Sequence, residues 1–282
     1  MPYTIIYHKI LILSNIFLYF DQILWYNIFY ECYFYGAVME YGEIIKKWRS
    51  YNIKKESDID KYLYNFRILF AYNSGKIENS EINYYDTREI FENGRVNSFT
   101  GNVRTMFEQQ NQKDCYEILK QKIIAKEKLS VDLIKQTHFE LCKGTYDERR
   151  YLENGEKPGE FKKHDYVVGL TNVGSDFEDV EKDLTELTDE INLYDLYDRE
   201  DILKSAAYFH ANFENIHPFA DGNGRVGRTL LNYYLMINNH PPVIIYEEDK
   251  KEYYEALNVF DEKLIVGGLY EFLKRQCVKT WG

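Results

Sequence analysis

The chain has 282 residues, 45% hydrophobic and 29% charged, which is long enough to bury a substantial core. A formal net charge of −11 excludes long stretches of nucleic-acid backbone as the expected partner. The four cysteines, Cys32, Cys115, Cys142 and Cys277, are widely separated and form no CxxC, so neither a disulfide framework nor a zinc site is expected. Reduced thiols and a cytoplasmic location follow as expectations.

Residues 1–38 are aliphatic and aromatic, interrupted by His8, Lys9, Asp21 and Glu31. The run between Lys9 and Asp21 is shorter than the roughly 20 residues of a spanning helix, and no small-residue cleavage site follows it. It reads as an N-terminal extension outside the domain, with Met39 as the working initiator; an extra packing helix or a membrane anchor is the alternative. Residues 39–282 then read as a single, mainly helical domain, with a core of about 130–275. The segment 58–80 places Ile59, Leu63, Phe66, Phe70 and Ile77 along one stripe, which predicts one or two helices.

Ser130 is placed to cap a helix over Val131 to Leu141, and the loop after it is rich in Gly and Pro signals. The short β-prone run from Tyr166 to Val168, followed by Gly169 and Gly174, predicts a small hairpin. Ser175 with Glu178 resembles a capping box for the acidic helix that follows. A further helix carries Ile202, Ala206, Phe209, Phe213 and Ile216 on one side and stops at His217-Pro218, because the residue before a proline disfavours the α conformation. Helical character resumes after the glycines and lasts until His240-Pro241.

The stretch "NIHPFADGNGRVGR", Asn215 to Arg228, concentrates the chemistry. Gly222, Gly224 and Gly227 fit the loose GxGxxG of a dinucleotide turn, but that motif should follow a strand within alternating β and α units. Here the preceding residues have helical periodicity. The same glycines suit an anion trap, in which backbone N–H groups turn inward at the positive end of a helix. Asn223 is a further donor, and Arg225 with Arg228 is placed to fork onto phosphate oxygens. Asp221 is a candidate carboxylate for Mg²⁺, which takes one or two protein carboxylates plus phosphate and water oxygens. A neutral imidazole at His217 can accept a proton from a hydroxyl; a capping, packed or metal-ligating histidine is the plainer reading. His210, on the apolar face and without such neighbours, reads as a hydrogen-bonded core residue, and Phe219 as a wedge that fixes the loop.

"HPFADGNGRVGR" resembles the signature HPFx(D/E)GNGRxxR of Fic-domain proteins at every defined position. The resemblance implies an all-α, Fic-type helical domain with a small β-hairpin flap. It also implies transfer of AMP from ATP to a Ser, Thr or Tyr hydroxyl of a target protein, with pyrophosphate released. His217 would be the general base and Asp221 the Mg²⁺ ligand. Gly222, Asn223 and Gly224 would hold the α- and β-phosphates, and Arg225 and Arg228 the triphosphate. Gly224 stands where the Doc kinase branch usually has lysine, which favours adenylylation.

"PGEFKKHDYVVG" resembles the family's flap, which puts Tyr166, Val167, Val168 and Gly169 near the nucleotide; Lys162 replaces the arginine common there. "DKKEYYEAL" resembles the helix over adenine and makes Tyr253 and Tyr254 base contacts, with ordinary core packing as the alternative. "SGKIEN", Ser74 to Asn79, matches the family's inhibitory pattern (S/T)xxxE(G/N) in the subclass where it precedes the domain. Glu78 would then pair with Arg228 and block the γ-phosphate position. Removal of AMP at the same site, or nucleotide sensing without transfer, are the alternative functions. Likeness to family members leaves a homodimer possible without fixing the oligomeric state, and no membrane insertion is expected.

Overall fold

Pro218 and the glycines after it divide two helices that pack closely on each other. The computed structural model describes residues 39–96, 99, 101–168, 171–193 and 199–282. The expected extension over 1–38 lies outside the described residues, and so does Gly169. The helices are α1 (Tyr41–Ser50), α2 (Glu56–Tyr62), α3 (Tyr64–Glu78), α4 (Tyr84–Asn93), α5 (Val103–Ala125), α6 (Val131–Cys142), α7 (Val180–Leu193), α8 (Arg199–Ile216), α9 (Asn223–Ile237), α10 (Lys250–Lys263) and α11 (Gly267–Trp281). Between α6 and α7 lies the two-stranded hairpin, β1 (Tyr166–Val168) antiparallel to β2 (Thr171–Val173), with Tyr166 opposite Val173. The fold is therefore all-α with a small hairpin, as the sequence predicts.

α9 is buried on nearly every face, from Val226 through Leu230, Leu231 and Tyr234 to Ile237, and it packs against α8, α6, α3 and α5. α8 presents Leu203, Ala206, Ala207, Phe209 and Phe213 to the same core, all fully buried. Each such large apolar side chain contributes about 1.5–3 kcal/mol by leaving water. The strength of this packing fixes both helix ends that border the loop.

The predicted stripe over 58–80 breaks at Leu63 into α2 and α3, with Ile59, Leu63, Phe66 and Ile77 buried and Phe70 half-buried. Ser130 caps α6 by accepting from the Leu133 N–H at 3.2 Å. One expected start is displaced: α7 begins at Val180 rather than directly after Ser175, whose N–H donates instead to the Ile216 carbonyl at 2.9 Å. Ser175 is thereby used to tie the end of the hairpin to the end of α8. Among the described residues no helix is long and apolar enough to cross a membrane.

Candidate active site

His217 is held at the C-terminal end of α8 in the left-handed region, with φ +50°, and its N–H closes the last turn on the Phe213 carbonyl at 3.1 Å. Left-handed backbone at a non-glycine costs about 1 kcal/mol, and such strain persists where surrounding structure enforces it. Here the enforcement is the core packing of α8 and the proline that follows. Burial, reinforced by the nearby charge of Lys162, pulls the imidazole below its ordinary value of 6.5. The ring is therefore neutral at pH 7, and it lies close enough to Glu78 and Asp221 to feel both charges.

The loop that follows is braced from beneath. Phe219 is fully buried and stacks on His138, with ring centroids 3.7 Å apart and planes 2° from parallel. His138 accepts the Gly159 N–H at Nδ1 (2.8 Å), so its proton sits on Nε2, which donates to the Asp221 carbonyl at 3.0 Å. Burial lowers this imidazole to about 4, which keeps that tautomer neutral. Asn223 closes the loop on itself: its side chain accepts from the Phe219 N–H (2.9 Å) and donates to the Phe219 carbonyl (2.8 Å). The amide expected to reach a phosphate is thus engaged in shaping the turn.

Gly222 caps α9 with φ +86°, a conformation that strains any L side chain. At Gly224 the requirement is space: a Cβ there would lie 2.3 Å from Glu78 Oε1 and 2.9 Å from an Arg228 nitrogen. A carboxylate oxygen already rests in the hollow that the missing side chain leaves.

The two arginines of the motif diverge rather than forming one fork. Arg228, 1% exposed, donates from Nε to Ser74 Oγ (3.1 Å) and from Nη2 to the Ser74 carbonyl (2.8 Å) and to Glu78 Oε1 (2.7 Å). Burial opposes its charge, but Glu78, Tyr253 and Glu214 together more than restore it and keep the guanidinium firmly protonated. Arg225 turns the other way, 3.8 Å from Asp221 Oδ1 and 3.6 Å from Glu108 Oε1. Arg228 Nη1 and Arg225 Nε and Nη1 are buried without a hydrogen-bond partner among the described residues. Buried guanidinium donors left over in this way are suited to an anion.

Asp221 meets more cations than its spacing in the loop suggested. Arg104, at the start of α5, donates to Oδ2 at 2.8 Å, and Arg150 lies 3.9 Å from the same oxygen. Burial works against ionisation, but Arg225, Arg104 and Arg150 together hold the carboxyl below the usual carboxylate range. Sequence reasoning missed Arg104, Arg150, Glu108 and His138, since none belongs to the local motif.

Lys162 clamps the hairpin to the His217 turn: its N–H donates to the Pro218 carbonyl at 2.9 Å and its ammonium to the Val173 carbonyl at 3.0 Å. Tyr166, on β1, donates its hydroxyl to Glu156 at 3.1 Å, and Val167 is exposed. Val168 pairs with Thr171 at the end of the hairpin. Of the two tyrosines expected to meet a base, Tyr253 is a core residue with 0% exposure, bonded through its hydroxyl to His210 Nε2 at 2.8 Å. Tyr254 is 38% exposed and near enough to Glu78 and Arg228 to sense their charges. His210 is the buried, hydrogen-bonded residue that its position implied.

Comparison with known proteins bears on the family and the fold. Residues 128–235 match the Fic/DOC family. The chain is 30% identical over 197 residues to the protein adenylyltransferase fic-1 of Caenorhabditis briggsae, a match that spans 68% of this chain and 36% of that protein. The same values hold for fic-1 of Caenorhabditis elegans. A 38-residue stretch is 60% identical to the probable protein adenylyltransferase aq_aa38 of Aquifex aeolicus, covering 14% of this chain and 12% of that one. The chain thus spans about a third or less of the length of these curated relatives. Among solved structures, a Fic-domain-containing signaling protein from Bacteroides thetaiotaomicron shares the fold with a TM-score of 0.72 at 23% identity, over 86% of this chain and 93% of that one. Fic-1 from C. elegans (aa134 - 508) shares it with a TM-score of 0.66 at 22% identity, over 85% and 70%. The chain carries a Fic/DOC family domain, with the loop from His217 to Arg228 inside the matched residues.

Proposed function

We propose that this protein transfers AMP from ATP to a Ser, Thr or Tyr hydroxyl of a target protein and that Glu78 restrains the reaction. In this reading the neutral imidazole of His217 accepts the proton of the target hydroxyl. The freed oxygen attacks the α-phosphorus, a new P–O bond forms, the bond to the β-phosphate oxygen breaks, and pyrophosphate leaves. The left-handed turn at His217 serves to present the ring beside the anion loop, and Lys162 supports both the hairpin and the low proton affinity of that ring.

The observation that carries the reading is the Glu78 carboxylate lying in the Gly224 hollow, 2.7 Å from Arg228. It supports the reading of the loop as a place that receives an anion, and it leaves the arginine engaged. The donor set suits Mg²⁺ with a nucleotide. Among the described residues no group of three or more His, Cys, Asp or Glu could hold a metal, so an ion at Asp221 would rely on phosphate and water oxygens as well. When bound, Mg²⁺ would neutralise charge on the phosphates. Asp221 would hold it; the loop N–H groups and the spare donors of Arg225 and Arg228 would orient the triphosphate. Tyr254 is the better placed of the two tyrosines for the adenine.

Labelling with α-labelled ATP and Mg²⁺ tests this. Glu78→Gly is expected to label itself or a target protein faster than the wild type, and His217→Ala in that background to lose the label. Equal labelling of wild type and Glu78→Gly would remove the restraint from the account. No AMP adduct from any variant, with ATP still bound, would replace transfer with nucleotide sensing.

A further inference from the structure

The last turn of α3 is linked to both charged ends of the glycine loop, one directly and one through α5. Glu78 reaches the anion end through Arg228. The next residue, Asn79, ends α3 and donates from Nδ2 to Glu108 Oε2 at 3.1 Å. Glu108 is buried on α5, and its other oxygen accepts from Arg104 Nε, one helical turn earlier, at 3.0 Å. Arg104 then donates from Nη2 to Asp221 Oδ2 at 2.8 Å. An unbroken chain of hydrogen bonds therefore runs from the brake segment to the carboxylate at the loop's other end.

The chemistry of this chain has a direction. Arg104 and a divalent cation are both positive and both need an oxygen of the Asp221 carboxylate, so each weakens the other's hold. Glu108 offsets the charge of Arg104 and fixes its guanidinium by the i,i+4 contact. Asn79, being neutral, orients Glu108 without cancelling it.

We propose that Arg104, positioned by Glu108 and Asn79, is a second restraint on the site, holding Asp221 against a divalent cation while Glu78 holds Arg228. The proposal rests on the reading of Asp221 as the metal-binding carboxylate. One helix end then restrains the anion side directly and the cation side through α5. Withdrawal of that turn releases both.

The test is Mn²⁺ binding to the full chain saturated with a non-hydrolysable ATP analogue, followed by the electron paramagnetic resonance signal of the free ion against that of the analogue alone. Arg104→Gln is expected to tighten Mn²⁺ by about three- to fivefold, the range a part-exposed charge pair supports, and Arg104→Lys by less. Asn79→Ala is expected to tighten it slightly in the wild type and to add nothing in the Arg104→Gln background. Asp221→Asn is expected to remove the binding in either background. Affinity unchanged or weakened in both Arg104 variants, with Asp221→Asn still losing the ion, would overturn the restraint and leave the Asp221 reading intact. Mn²⁺ bound equally well by Asp221→Asn would overturn the Asp221 reading itself. Fully additive effects of Asn79→Ala and Arg104→Gln would overturn the link to α3. Thermal melts of each variant separate these outcomes from loss of fold.

Discussion

The two ends of the glycine loop handle charge in opposite ways. At the Arg228 end a single guanidinium is sealed from water and held by one neighbour, α3, which supplies the Ser74 hydroxyl, the Ser74 carbonyl and the Glu78 carboxylate and leaves Nη1 unpaired. At the Asp221 end a carboxylate with 23% side-chain exposure is shared among Arg104, Arg150 and Arg225, which come from different parts of the chain. A buried charge must find specific partners or destabilise the fold, whereas a part-exposed one is solvated as well as paired. The dry end is therefore suited to a switch with a large effect. The wetter end is suited to graded adjustment.

The largest expected effect lies in the proposed chemistry that both ends would serve. In a Glu78→Gly background, His217→Ala is expected to slow labelling by about 10²–10⁴-fold, the contribution typical of a general base. Next comes the dry end: Glu78→Gly is expected to raise labelling by about 10²-fold, the value of restoring one charged donor to a transition state. Stability measurements contrast the ends directly. Denaturant unfolding of Arg228→Met is expected to show a loss of about 1.5–3 kcal/mol, because hydrogen bonds to a charged group are broken in the interior, while Arg104→Gln loses under about 1 kcal/mol. Equal losses would mean that the two ends do not differ in the way described.

Acid supplies the smallest and most selective probe. His138 braces the Asp221 end and is pushed down to about 4 by burial, whereas His210 lies behind Arg228, bonded to Tyr253, and is pushed down to about 3. Both are depressed by burial from 6.5, so below that pH the unfolded chain binds protons that the folded chain refuses. Their contributions are complete above pH 6.5 and are lost as the pH falls, His138 reaching its limit near 4 before His210 near 3. Melting temperature is expected to fall from pH 7 towards pH 4, and His138→Gln to flatten that slope. An unchanged slope in His138→Gln would deny His138 this role.

Legibility followed the same division. The His-Pro stop and the return of helix after the glycines were readable because each depends on neighbours within a turn or two. The spacing of Ser74 and Glu78 on one face of α3 was readable for that reason too. α5 was not, because its buried positions include Glu108, Gln109, Asn111, Gln112 and Lys120, so no apolar stripe announces it. Arg104 lies on that helix, and with it the link from Asn79 to Asp221. Asn223 shows a subtler limit: its amide is a good donor by type, but the folded loop turns it onto the Phe219 backbone. Tyr253 and Tyr254 are adjacent in sequence, yet helix α10 buries one and exposes the other.

The helical class, the hairpin and the turn that carries His217 and Asp221 to the start of α9 were already legible in the residues. Those depend on backbone geometry over a few residues, where proline, glycine and side-chain spacing act directly. Only the tertiary structure decided which charges meet: Arg228 with Glu78, Asp221 with Arg104, and Arg225 apart from its neighbour in the motif. Long-range pairs of that kind depend on which water-excluded spaces the packed helices leave, and no local pattern encodes the depth at which a charge will come to rest.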